Sequence, residues 1–197
     1  MKIGIEINGV LRDTLKKIQE VYQKWYIDNP FLEEEQDIER KVISDVTTMD
    51  IMEHLVFKDK DELYNFLYKE FTMEIFGHAG SVEMSSMIEL NDFYLDFRDK
   101  FEIWIISDEI SKSKPASLFF LSKFGCLVEN IKFYSDITLG SMWDTVDILV
   151  TANPKLLLDY PENKTLIKFK TTYNSDIKTK EEISSFAELK NKIQELC

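Results

Sequence analysis

The 197-residue sequence predicts an α/β fold, a mostly parallel sheet covered by helices on both faces. Three observations predict it. Short apolar runs recur along the chain, around residues 3–7, 101–107, 131–134, 146–150 and 165–169. Segments with helical spacing of apolar residues lie between most of them. Most runs are followed by Gly, Asn, Asp or Ser, so strand and helix alternate with turns between, the pattern of a buried parallel sheet.

The first run sets the layout. Ile3, Ile5 and Ile7 alternate with Gly4 and Glu6, and Gly9 ends the strand, leaving Glu6 and Asn8 close to its C-terminal tip. In open α/β sheets the crevice beyond such tips is where ligands bind. Leu15, Ile18, Val21, Tyr22, Trp25 and Tyr26 then predict a helix over 14–28, ended by Asn29-Pro30. The acidic stretch 33–40 reads as a solvated loop or helix start. From 45 to 76 come two helical patterns, Met49 to Val56 and then Leu63, Phe66, Leu67 and Phe71, with capping residues at Asp59 to Asp61. A small helical cap inserted after strand 1 is therefore expected over 14–77, with the α/β core made of 1–13 and 78–197.

Downstream, residues 77–81 form a turn and 82–98 a helix. The second strand, 101–107, stops at Ser107-Asp108. Pro115 fits the first turn of a helix closed by Gly125. The third, fourth and fifth strands follow, and Ser185 with Glu188 suggests a capping box for a last helix through Leu196.

Composition excludes several functions. The net charge of −12 repels phosphate backbones and anionic lipids, and no basic patch offsets it, so neither nucleic-acid nor membrane-surface binding is expected. Cys126 and Cys197 lie in no Cys-x-x-Cys or Cys/His cluster, which argues against a zinc site or a disulfide framework. His54 and His78 are far apart, giving little support to a His-based triad. No signal-peptide block and no membrane-length apolar run occurs, so a cytoplasmic protein is expected.

The stretch Ile3-Gly4-Ile5-Glu6-Ile7-Asn8-Gly9-Val10-Leu11-Arg12-Asp13 resembles motif I of the haloacid dehalogenase (HAD) superfamily. Met52-Glu53-His54-Leu55 and Ile75-Phe76-Gly77-His78-Ala79 are similar to the 5'(3')-deoxyribonucleotidase branch. The resemblance covers nearly the whole chain as an order of elements, and implies a Rossmannoid sheet with a helical cap. It also implies phosphohydrolase chemistry, in which the first motif I Asp attacks phosphate and the second moves protons.

Here those acids are replaced by Glu6 and Asn8. A carboxamide cannot transfer the proton, and the extra methylene of Glu6 displaces its oxygens by about a bond length. Misplacement of about 1 Å can cost about 100-fold. Ser107 matches the motif II hydroxyl that in the family holds the phosphoryl group, although Ser after a buried strand more often serves as a turn or capping residue. The motif III Lys falls near Ala116; Lys114 lies two residues early and otherwise reads as a solvated side chain. At motif IV, Thr151 and Ala152 stand where one or two acids would hold Mg²⁺. Asp108 is an alternative ligand, whereas Asp147 begins its strand at the wrong end.

The resulting expectation is a degenerate, nucleotidase-like pseudoenzyme that acts by binding a small anionic ligand or a protein partner. Its ligand-binding positions would be Glu6, Asn8, Gly9, Ser107 and Asp108, with no metal or cofactor. The alternative is an active Mg²⁺-dependent phosphohydrolase using Glu6 in an atypical site. A third reading, an acidic regulator of a basic partner, rests on net charge. Glu6 itself reads either as an exposed strand-end acid or as a remnant of the site, and Met142 and Trp143 are candidates to fill the crevice.

Overall fold

A computed structural model describes residues 1–29, 38–41 and 46–196. The expectations for Pro30, for most of the acidic stretch 33–40, for Asp45 and for Cys197 lie outside the described residues. Six strands form one parallel sheet: β1 (Lys2–Glu6), β2 (Glu102–Ser107), β3 (Asn130–Phe133), β4 (Ile148–Thr151), β5 (Thr165–Phe169) and β6 (Glu181–Ile183), in the order β3-β2-β1-β4-β5-β6. The expected α/β architecture with a parallel sheet is present. The first run of the sequence supplies its centre, with Ile5 opposite Ile105 on one side and Val150 on the other.

Side-chain alternation divides the sheet into two buried faces. Ile3, Ile5, Ile103, Ile105, Ile148, Val150, Ile167 and Phe169 face one apolar cluster. It is covered by α4 (Ser86–Phe97), α5 (Ser113–Lys123) and α8 (Leu189–Leu196). Ile106, Leu149 and Leu166 face the other, under α6 (Leu139–Trp143) and α7 (Pro154–Leu158). Full burial of each Ile on β1 contributes roughly 1.5–3 kcal/mol. Gly4 belongs to the second face, where an added Cβ would lie 2.8 Å from Val146 and 2.9 Å from Ile106. The close approach of these side chains leaves room only for hydrogen.

Between β1 and α4 the described residues form helices and no strand: α1 (Thr14–Tyr22), α2 (Ile51–His54) and α3 (Lys60–Asn65). Wider π turns follow at Gln23–Ile27, Phe66–Glu70 and Met73–Gly77, each closed by a bond from five residues on. Ile18, Val21, Tyr22, Leu55, Phe57, Phe66, Leu67, Ile75 and Phe76 make a third apolar cluster, which Ala116 of α5 joins. Asp59 caps α3 as expected, its carboxylate accepting from Glu62 N at 2.8 Å. Asn153 caps α7, whose Pro154 sits in the first turn.

Three local expectations differ from the structure. The strand β6 was not foreseen, because Glu181-Glu182-Ile183 offers a single apolar residue on a sheet edge. The helix expected from residue 82 begins at Ser86. Residues 80–82 instead pair with the loop after β1, through Asp13 N to Gly80 O and Val82 N to Leu11 O. Ser185 makes no side-chain cap; Glu188 instead accepts from Ser184 N at 3.0 Å, and a 3-10 turn precedes α8.

Candidate functional site

Glu6 ends β1, and Thr151 ends the adjacent β4 on the same face of the sheet. Tyr134 follows β3, two strands away, and reaches across β2. Its hydroxyl donates to Glu6 Oε1 at 3.0 Å, while the Thr151 hydroxyl donates to Oε2. Thr151 in turn accepts from Asn153 N at 2.9 Å. Glu6 is 1% exposed, so it is not a solvated strand-end acid. Burial, then the nearby Asp108 charge, pushes its carboxyl up to about 8 against the opposing pull of Thr151, Tyr134 and the Ala152 N–H. It therefore holds its proton to higher pH than an ordinary carboxyl does.

The loop after β1 builds the neighbouring half of the site. Leu11 N and Arg12 N both donate to Ile7 O, and Gly9 N donates to Arg12 O, so the chain curls back over the strand tip. Gly9 has φ +76°, and a Cβ there would lie 2.1 Å from the Tyr173 hydroxyl oxygen and 3.0 Å from Ala152 Cβ. Only glycine meets both demands without strain.

The curl drives Arg12 into the interior, where it is 0% exposed. Its guanidinium donates to Phe76 O (2.7 Å), Ser117 Oγ (2.6 Å), Asn8 Oδ1 (2.6 Å), Thr14 Oγ1 (3.1 Å) and Glu109 Oε1 (2.5 Å). Those contacts occupy its five N–H donors. Burial lowers its affinity for the proton, and the Glu109 carboxylate works in the opposite direction. Glu109 Oε1 also accepts from Ser107 (3.2 Å) and Ser117 (2.8 Å). Its Oε2 is buried with no partner among the described residues.

Asn8 joins the two halves. Its amide donates to Asp108 Oδ1 at 2.7 Å, while its oxygen accepts from Arg12 and from Thr14 Oγ1 at 2.6 Å. A carboxylate here would accept only, and would set a second negative charge against Asp108. Asp108 is itself pushed up to about 6, chiefly by burial and by Glu109, against the bond from Asn8 and the charge of Arg12.

The structure thus brings Glu6, Asn8, Gly9, Ser107 and Asp108 to one end of β1, β2 and β4. Ser107 caps no helix; its hydroxyl serves Glu109. Lys114 stays on the surface, its ammonium 6.0 Å from the Phe133 ring centre, and Ala116 is buried in the third apolar cluster. Met142 and Trp143 pack under Tyr134 in the cluster on the second face. Asp147 lies at the opposite end of β4, accepting from Lys2 N. Arg12, Glu109, Ser117 and Tyr134 were not singled out from sequence. A signal existed for the first two, since opposite charges follow two strands that the pattern makes neighbours. Among the described residues no group of three or more His, Cys, Asp or Glu side chains is placed to hold a metal ion.

No family model and no curated protein matches the sequence. Among the described residues no helix is long and apolar enough to cross a membrane.

Proposed function

We propose that the chain is a HAD-like, nucleotidase-like pseudoenzyme, with residues 14–77 as its cap, that acts through binding and not through phosphate hydrolysis. One observation carries this reading. Both oxygens of Glu6, the residue at the nucleophile position, are held by the Tyr134 and Thr151 hydroxyls, and the side chain is sealed from solvent. A nucleophile must present an unprotonated oxygen to substrate, and Glu6 presents neither oxygen to solvent. Asn8 and Thr151 support the same reading, because each stands at an acidic position of the motif and makes hydrogen bonds within the protein.

A panel of nucleoside monophosphates with Mg²⁺ tests it. The expected result is release of phosphate no faster than in the protein-free control. Turnover that vanishes in Glu6→Ala would establish the alternative, a phosphohydrolase in which Glu6 is the working carboxylate. Melting curves with each nucleotide add a binding readout, since a ligand specific to the folded state raises Tm.

A further inference from the structure

The structure carries an open groove between α4 and the turn that leads into α8, with a volume of about 430 Å³. None of its lining residues belongs to the Glu6–Arg12 network. Phe93 and Phe186, both almost fully buried, form its floor. Helical spacing arranges the walls in stripes. Glu89, Asp92 and Asp96 lie on one stripe and the exposed Leu95 (48%) on the next; the exposed Ile88 (66%), two turns before Leu95, continues that stripe outside the groove. Across the groove Lys190 of α8 bonds Asp96 at 2.5 Å, so three carboxylates face one ammonium. Glu89 contributes a second feature: its Oε2 is shielded from solvent and has no hydrogen-bond donor among the described residues.

We propose that this groove docks a basic amphipathic helix of a partner protein. Such a helix would lay its apolar side chains along Ile88 and Leu95. Its Lys or Arg side chains would reach the exposed carboxylates of Asp92 and Asp96. Charge complementarity selects this occupant, because the same carboxylates repel phosphate backbones and anionic surfaces. Apolar anchors at helical spacing are the known mode for helix recognition in grooves. The surface is separate from the strand-tip site, and the proposal stands whether or not that site hydrolyses phosphate.

The probe is a fluorescein-labelled 16-residue peptide of Leu and Lys at amphipathic helical spacing, titrated with the full chain at 50 mM and 200 mM salt. Saturable binding is expected, weakening with salt, with amide shifts confined to α4 and α8 by NMR. Asp92→Lys together with Leu95→Glu, both at exposed positions, should reduce affinity at least tenfold without changing Tm by more than a few degrees. Glu89→Gln should give a smaller loss. Equal binding by the double variant, equal binding of a scrambled peptide, or shifts spread over the surface would overturn the proposal in favour of unspecific attraction to a −12 chain. Sedimentation showing a dimer that the double variant dissociates would overturn it too, assigning the groove to a second copy.

Discussion

Glu6 and Glu109 are each 1% exposed and stand at or just past the tips of neighbouring strands. Their surroundings differ in one respect that decides the rest. Glu109 lies against a guanidinium, with two serine hydroxyls on the same oxygen. Glu6 has hydroxyls and a backbone N–H, and the charge that acts on it is the like-signed Asp108. Hydrogen bonds from neutral donors do not offset the cost of burying a carboxylate beside another acid, so Glu6 holds its proton to higher pH than an ordinary carboxyl. Burial alone therefore does not make a site reactive or inert; the sign of the neighbour does.

Breaking the charged half should cost most. Arg12→Met leaves Glu109 buried without its cation and strands Phe76 O, and unfolding in denaturant should show a loss of about 3–5 kcal/mol. Pairing it with Glu109→Leu should recover most of that loss, because the uncompensated charge is then gone. If the double variant is no better than the single one, the ion pair is not what holds the loop.

The neutral half should reveal itself through pH. The folded carboxyl of Glu6 binds its proton up to about pH 8, whereas the unfolded one releases it near 4.5. Between those values the folded state holds more protons, so stability falls as pH rises, by at most about 1.4 kcal/mol per pH unit. Asp108, raised to about 6, adds to the same slope below that pH. Glu6→Gln should flatten the decline between pH 6 and 8, measured by denaturant midpoints across the range. An unchanged slope would mean that Glu6 is already ionised.

Smaller effects sharpen the boundary between the halves. Gly9→Ala places a methyl at positive φ against Tyr173 and should cost about 1–2 kcal/mol. Tyr173→Phe in the same chain relieves the oxygen contact but not the dihedral, so recovery should be partial. Lys114→Ala should lie within about 0.5 kcal/mol of the parent, as expected of an exposed side chain.

The sheet was legible because β1, β2, β4 and β5 are apolar runs whose burial follows from composition alone. The edge strand β6 was not, since its pairing comes from neighbours and not from its own side chains. Within the site, the positions of Glu6, Asn8, Ser107 and Asp108 followed from strand tips. Their bonding did not. Whether Glu6 is solvated depends on Tyr134, which lies 128 residues away and arrives only through strand order. Arg12 looks like a surface residue in one dimension, and the curl over Ile7 O is what turns it inward.

The central place of β1 has a consequence for synthesis of the chain. Its partners are Glu102 to Ile106 on one side and Ile148 to Val150 on the other. At about 5–20 residues per second, β1 therefore leaves the ribosome roughly 5–20 s before the strand it first pairs with. Through that interval its two isoleucines wait without a sheet, while α1 and the helices after it can already gather their own apolar cluster. The segment that organises the finished molecule is, during its birth, the one most in need of shelter.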